Sequence, residues 1–215
     1  MKRLPLDGGV PSDLAAVDES GGGSWGDAGV IAAVPRLLAD NTIVRIPEMG
    51  GAVQPWVPSS PAGDQLGPLL LPHGKGLLFT VRASWPVYSF SLRLAMPGHP
   101  ESREFLKDAT AARFLSGGYL VFHRQGKLFS VRCDPDSLRL AGEPIPMIDD
   151  VASLEGWAQY DVSANGTLVY RRGRNNGNVV VRWDASGKQE PLLNTPATYI
   201  TPRVSPDGSA LRWST

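Results

Sequence analysis

Two overlapping glycine patterns near the start of the chain are each typical of a chemical function. Residues 22–26 match Gly-x-Ser-x-Gly, the turn that presents a nucleophilic serine, here Ser24. Residues 21–26 also match Gly-x-Gly-x-x-Gly, a dinucleotide-binding pattern. Both patterns require a helix directly after the turn, whereas a strand-like run follows Gly29. We therefore predict no catalytic serine, no dinucleotide site and no cofactor.

The residue types that bind metals are scattered along the chain. The three histidines are isolated from one another, at His73, His99 and His123. No His-x-x-x-His or Cys-His spacing of a zinc site is present. The adjacent carboxylates of Asp149 and Asp150 would suit a cation, but a solvated loop explains them more simply. We therefore predict no metal site, and the single cysteine, Cys133, is predicted to be a packed thiol in a strand.

Six tryptophans are dispersed along the chain, at Trp25, Trp56, Trp85, Trp157, Trp183 and Trp213. Trp25 and Trp157 precede apparent first strands of repeats, where an indole ring can stack on a ligand. We predict instead that these two side chains pack in the core between sheets.

Charge and length exclude several classes of protein. The 215 residues carry 21 basic and 21 acidic side chains, whereas nucleic-acid binders show a clustered basic excess. The densest basic run, at Arg171, Arg172 and Arg174, is predicted to be a solvated loop. No apolar run approaches the roughly 20 residues of a membrane helix, and Met1–Pro11 does not form a secretory signal. We expect no nucleic-acid partner and no membrane contact by this segment.

Turns recur in two interleaved series with one period. The first series precedes strand-like runs and has glycines 45, 43, 49 and 42 residues apart, at Gly29, Gly74, Gly117, Gly166 and Gly208. The second joins short alternating strands and has glycines 42, 47, 44 and 45 residues apart, at Gly9, Gly51, Gly98, Gly142 and Gly187. A period of about 40 to 50 residues with about four strands per repeat predicts a β-propeller.

The fold predicted is therefore all-β, a β-propeller of four-stranded antiparallel blades, with four to five blades. The 215 residues are predicted to be a single propeller domain, with blades at about 21–65, 66–110, 111–155 and 156–200 and partial blades at 1–20 and 201–215. Because the chain begins in mid-blade, we expect an incomplete ring, a piece of a larger one. A closed five-bladed ring that joins residues 203–215 to residues 1–15 is the alternative.

The repeat resembles the TolB-type, or WD-like, propeller repeat. The resemblance rests on Val204-Ser-Pro-Asp-Gly208 and on looser forms that end at the other glycines of the first series. A WD repeat would end in Trp-Asp, and only Trp183-Asp184 matches. A further series of segments, including residues 24–29, 71–80 and 118–128, is similar in order to the propellers that follow the membrane span of some bacterial serine/threonine kinases.

This resemblance implies a binding or sensing module without enzyme activity of its own. Its partner would be a protein or a small ligand at a propeller face or channel, and its location in the parent protein would be periplasmic or otherwise extracytoplasmic. Any kinase activity would belong to another segment, since no kinase motif is present in this chain. The alternatives are the propeller of a prolyl-oligopeptidase-type serine peptidase and a stand-alone TolB-like periplasmic partner protein.

Overall fold

The computed structural model forms two compact units, residues 1–109 and residues 110–215. The residues that it describes are 1–4, 9–16, 21–35, 41–83, 89–99, 101–163, 166–173, 178–184, 186–197, 200–204 and 211–214. At residues 178–179, 194–197, 200–203 and 211–214 only the backbone is described.

The first unit contains a two-stranded sheet and two four-stranded antiparallel sheets. The small sheet pairs β1 (Lys2–Arg3) with β2 (Ser12–Asp13). Blade 1 consists of β3 (Gly23–Trp25), β4 (Val30–Ala33), β5 (Ile43–Pro47) and β6 (Gln54–Val57). Blade 2 consists of β7 (Asp64–Leu70), β8 (Leu77–Arg82), β9 (Phe90–Ala95) and β10 (Ser102–Lys107). In both blades the strands pair in chain order.

The second unit repeats this organisation. Blade 3 consists of β11 (Thr110–Leu115), β12 (Tyr119–Arg124), β13 (Lys127–Cys133) and β14 (Leu140–Ile148). A short hairpin follows, β15 (Ser153–Leu154) and β16 (Trp157–Ala158). Blade 4 consists of β17 (Tyr160–Val162), β18 (Leu168–Tyr170), β19 (Asn178–Trp183) and β20 (Gln189–Ala197). The last sheet pairs β21 (Ile200–Val204) with β22 (Leu211–Ser214).

The predicted fold class is confirmed: four antiparallel four-stranded blades form a β-propeller fold. Among the described residues the only helical segment is a 3₁₀ turn at Pro72–Gly74. The closure of the ring and the assignment of the whole chain to one domain stay predictions.

Second strands of the blades are buried on both faces, as their continuous apolar runs predict. All six residues of β8 are buried, and Leu77, Phe79 and Val81 belong to a core that also includes Ile43 of blade 1. In the second unit, Tyr160 and Tyr170 are fully buried in a core shared by blades 3 and 4. The apolar cores therefore lie between neighbouring sheets of each unit.

The turns after β13 and β19 are each closed by an aspartate. The Asp134 carboxylate accepts hydrogen bonds from the amides of Asp136 and Ser137 after β13. The Asp184 carboxylate does the same for the turn after β19. The turn predicted at Gly142 is wrong, because the Asp134 turn reverses the chain earlier, and Gly142 then lies inside β14 with φ +84°.

The first strands of neighbouring blades lie side by side in each unit. In the first unit the Gly67 amide of β7 donates to the Gly21 carbonyl, beside β3. In the second unit the Val204 amide of β21 donates to the Asp161 carboxylate of β17. We call the first strand of each blade its inner strand. We call the end of a blade at which its inner strand begins the entry end.

Candidate functional site

The entry end of blade 2 carries a polar cluster around Asp64, the first residue of β7. Asn41 Nδ2 donates to Asp64 Oδ1 at 2.7 Å. Arg82 donates to Asp64 Oδ2 from Nη2 at 2.7 Å and from Nε at 3.2 Å. We call Asn41, Asp64 and Arg82 the Asp64 cluster. Three donors thus fix the orientation of one carboxylate.

Strand pairing explains why these side chains meet. Asp64 and Arg82 are direct partners in the antiparallel register of β7 and β8, so their side chains lie on one face of the sheet. Gly63 precedes Asp64 with φ +137°, and a Cβ built there would lie 2.1 Å from the Arg82 carbonyl oxygen. Only glycine permits this close approach of two backbones. The sequence around Gly63 therefore determines where Asp64 is placed.

The Asp64 cluster combines compensated charge with an accessible acceptor. The side chain of Arg82 is 9% exposed and that of Asp64 is 23% exposed. The guanidinium compensates the carboxylate charge, so the ion pair as a whole is neutral. A carboxylate has about four acceptor positions, and the three donors above occupy three of them. The cluster can therefore accept one more hydrogen bond, from an uncharged donor, without a strong field that would attract an ion.

Gln65, the next residue of β7, is fully buried. Its Nε2 donates to the Pro58 carbonyl at 2.7 Å, while its Oε1 has no hydrogen-bond partner. A buried acceptor without a partner costs about 1–3 kcal/mol. Because Oε1 is inaccessible, we do not include Gln65 in the site.

The entry end of blade 3 has different chemistry. Thr110 and His123 are register partners of β11 and β12, with 3.4 Å between Thr110 Oγ1 and His123 Nδ1. The Gly126 amide donates to His123 Nε2 at 3.2 Å, which requires an uncharged ring. Burial lowers the pKa of His123, and a backbone hydrogen bond with Val151 only partly opposes this effect. The ring is therefore a neutral structural element at pH 7.

A second aspartate–arginine pair links blades 3 and 4. Arg113 Nε of β11 donates to Asp161 Oδ1 of β17 at 2.5 Å, with side chains 16% and 9% exposed. Burial is the largest single influence and acts to lower the pKa of Arg113, but the charges of Asp161 and Tyr160 and the hydrogen bond to Asp161 together outweigh it, so the pKa is raised. The hydroxyl of Tyr160 donates to the carbonyls of Ala111 and Val121. These contacts join two sheets and leave little surface for a ligand.

Ser24 has a structural role in β3. Its hydroxyl accepts a hydrogen bond from the Leu70 amide at 2.9 Å, which joins the inner strands of blades 1 and 2. The strand β4 follows at Val30–Ala33, as expected for a hairpin, and no helix is formed there. The residues of both glycine patterns thus belong to the first strand of blade 1 and the chain directly beside it.

Of the three histidines, His73 lies near an acid. His73 is exposed with φ +57°, and its Nδ1 lies 3.4 Å from Asp27 Oδ2. His99 is exposed after the β9 strand, and His123 is buried in β12. Asp149 forms an exposed ion pair with Lys127 at 2.7 Å. Among the described residues, no group of three or more His, Cys, Asp or Glu side chains is placed to hold a metal.

The prediction that Trp25 packs in the core is wrong. Trp25 is 53% exposed, and its Nε1 donates to Glu48 at 3.0 Å. Trp25 is the last residue of β3, and its ring lies against the guanidinium of Arg3, 5.8 Å from the ring centroid, instead of in the core. Trp157 is half-buried in β16.

Cys133 is buried, as predicted. Burial raises the pKa of its thiol, and the charge of Asp134 adds to this effect.

Arg172 is exposed and Arg171 half-buried. Arg174, Trp85 and the Ser205–Gly208 turn lie outside the described residues, as does the side chain of Trp213. In the described part of the chain, no helix has the length and apolar character to span a membrane.

Comparisons with known proteins place the fold among solved β-propellers. A calcium-binding regucalcin from Agrobacterium tumefaciens matches 98% of this chain and 72% of its own length, with 15% identity and a TM-score of 0.67. A protein assigned as a gluconolactonase matches 97% of this chain and 75% of its own, with 18% identity and a TM-score of 0.63. TolB from Acinetobacter baumannii matches 86% of this chain at 15% identity and a TM-score of 0.60.

The chain spans about half the length of TolB, 47%. No protein-family model matches the sequence, and no curated protein matches it significantly. At these identities the likeness shows the fold alone, and a special similarity to kinase-linked propellers is not among these findings.

The inference that this chain is no enzyme because it lacks catalytic motifs is wrong, since structures that share its fold include a protein assigned as a gluconolactonase. In a propeller, separate blades contribute side chains to one site, so a catalytic group of residues needs no contiguous motif. The lack of a motif therefore does not exclude catalysis.

The Asp64 cluster was not predicted from the sequence. Asn41, Asp64 and Arg82 are 23 and 18 residues apart, and no local pattern joins them. One signal was available, since Gly63-Asp64 begins a strand and Arg82 ends the next strand. If the two strands are aligned outward from the turn at Pro72–Gly74, the side chains of Asp64 and Arg82 become neighbours.

Proposed function

We propose that this chain is a β-propeller module that binds a small, uncharged, hydroxyl-rich ligand at the entry end of blade 2. The observation that carries the proposal is the Asp64 carboxylate, which is oriented by Asn41 and Arg82 and remains partly exposed. An oriented carboxylate is a strong acceptor for a hydroxyl group. Its charge is compensated, so a neutral donor fits it better than a cation.

The names of two similar structures support the choice of ligand. One is assigned as a gluconolactonase, and another as a 6-phosphogluconolactonase from Bacteroides fragilis. Both names refer to lactones whose ring carries several hydroxyl donors, and gluconolactone is uncharged, whereas the second lactone also carries a charged phosphate group. The chemistry of the uncharged lactone therefore agrees with what the Asp64 cluster would accept.

The test is a calorimetric titration with freshly dissolved D-glucono-1,5-lactone, with D-gluconate as the charged comparison. We expect saturable binding of the lactone and weaker binding of gluconate, because a carboxylate is only an acceptor and cannot donate a hydrogen bond to Asp64. Asp64→Asn should weaken lactone binding about tenfold or more, as expected for the loss of a hydrogen bond to a charged group. Release of acid by the protein, measured in the same samples, tests whether the bound lactone is also hydrolysed.

The matched control is Asp149→Asn. Asp149 also forms an ion pair, with Lys127, but it lies in the second unit and is exposed. This variant should bind the lactone as the wild type does. Equal binding by the Asp64→Asn protein, in a folded state by circular dichroism, would refute the proposal.

We further propose that the parent protein carries this module outside the cytoplasm, attached to a serine/threonine kinase. The support is the ordered series of segments at residues 24–29, 71–80 and 118–128. The upstream genomic reading frame tests it: a membrane span and kinase domain in frame would support the link, and an unrelated neighbour would refute it. A hydrolase domain downstream would favour the peptidase alternative.

A further inference from the structure

A pocket of about 250 Å³ lies between blades 3 and 4 of the second unit. Blade 3 contributes Leu115 and Val121 to its wall, and blade 4 contributes Val162, Leu168 and Trp183. The wall is mostly apolar, and several of these residues belong to the core of the unit. The pocket thus extends the core to the surface.

The indole of Trp183 supplies an unmet hydrogen-bond donor at this wall. Its Nε1 is buried and has no hydrogen-bond partner. A buried donor without a partner is unfavourable, and native proteins rarely leave one unsatisfied. A ligand oxygen in the pocket would supply the missing acceptor.

The turn after β19 covers this donor with a glycine. A Cβ built on Gly187 would lie 3.5 Å from Trp183 Nε1, and the positive φ of +85° favours glycine there. The Asp184 carboxylate accepts hydrogen bonds from the Ser186 and Lys188 amides at 2.8 and 3.1 Å. These turn donors are therefore already used. A small shift of Gly187, which has no side chain, would open the indole N–H to the pocket.

We propose that this pocket binds an uncharged, ring-sized aromatic molecule that carries one carbonyl oxygen, and that Trp183 Nε1 donates to that oxygen. The volume supports a ring-sized ligand, since a dry protein cavity of about 150 Å³ is enough to bind benzene. The apolar wall excludes charged ligands, because burying an unpaired charge is costly. The site is independent of the Asp64 cluster, which belongs to the first unit.

The experiment compares acetophenone with α-methylstyrene, which replaces the carbonyl by a methylene group of similar shape. Both are titrated into the full chain and followed by the indole N–H signal of Trp183 in NMR spectra, assigned with the variant Trp183→Phe. We expect acetophenone to bind about fivefold more tightly than α-methylstyrene and to move the Trp183 signal downfield. In the Trp183→Phe protein the two affinities should become equal.

Two further variants test the location. Val162→Phe adds volume to the wall and should abolish binding of both molecules. If that variant does not fold, Leu115→Phe takes its place and should weaken the binding of both molecules. The control Leu192→Phe adds the same ring at an exposed position of β20 and should change nothing. Absence of saturable binding to the wild type, unchanged binding after the pocket is filled, or equal affinity for both probes without an indole shift would each overturn the proposal.

Discussion

Two aspartate–arginine pairs of this propeller have the same chemistry and different surroundings. Asp64 and Arg82 are register partners within blade 2, and Asp64 is 23% exposed. Arg113 and Asp161 belong to neighbouring blades, and Asp161 is 9% exposed. Asp161 also accepts a hydrogen bond from the Val204 amide of a third sheet. One pair therefore keeps an acceptor at the surface, whereas the other joins inner strands.

The difference indicates that the burial of the carboxylate and the number of sheets that it joins, more than its residue type, distinguish a binding role from a structural one. Arg82 and Arg113 are both largely buried, at 9% and 16% exposed, so the contrast lies in the carboxylates. Asp161 is 9% exposed and also holds the Val204 amide of a third sheet, whereas Asp64 is 23% exposed and is partly solvated, so removal of Asp161 should cost more. The more exposed pair leaves part of its acceptor capacity available for a ligand. The comparison can be tested by removing each carboxylate in turn.

The largest effect is expected for Asp161→Ala. The variant leaves Arg113 buried without its partner and the Val204 amide without its acceptor. We expect a loss of about 3–5 kcal/mol in the free energy of unfolding, measured by urea denaturation. A loss below about 1 kcal/mol would contradict the structural role of this pair.

A smaller effect on stability is expected for Asp64→Asn. The amide keeps an oxygen that can accept from Asn41 or Arg82, and part of the site is solvated. We expect a loss of about 1–2 kcal/mol, on the scale of a hydrogen bond to a charged group. If the loss matched that of Asp161→Ala, the contrast between the two pairs would fail.

The buried His123 predicts a pH dependence in the second unit. Its pKa is lowered in the folded protein, so the unfolded chain binds the proton more readily. The stability contribution is complete above the unfolded pKa of about 6.5 and is lost as the pH falls below it. Between pH 7.5 and 5 the unfolding midpoint of the wild type should fall more than that of His123→Gln. The exposed control His99→Gln should follow the wild type, and parallel curves for all three proteins would contradict the assignment.

The smallest effect is expected for Glu190→Gln. Glu190 pairs with Arg182 at 2.5 Å and with Lys188 at 2.7 Å, all on the exposed surface of blade 4. Solvent and salt screen such pairs, so we expect no measurable shift of the thermal midpoint. A shift as large as that of Asp64→Asn would show that pairing alone, without burial, controls stability here.

The fold could be predicted because each blade repeats a local signal. The turn glycines recur at one period, and the buried run at Leu77–Val81 identifies a second strand without any long-range information. The sites could not be predicted in this way. Arg113 and Asp161 are 48 residues apart, and their contact depends on how two inner strands align. The exposure of Trp25 depends on what packs beside β3, which a single sequence does not encode locally.

The most direct test measures both properties on Asp64→Asn and Asp161→Asn together, at low temperature where both are folded. We predict that Asp64→Asn loses binding of D-glucono-1,5-lactone while it keeps most of its stability. Asp161→Asn should lose stability and bind the lactone as the wild type does. Undiminished lactone binding by the folded Asp64→Asn protein would contradict the assignment of the Asp64 cluster as the binding site.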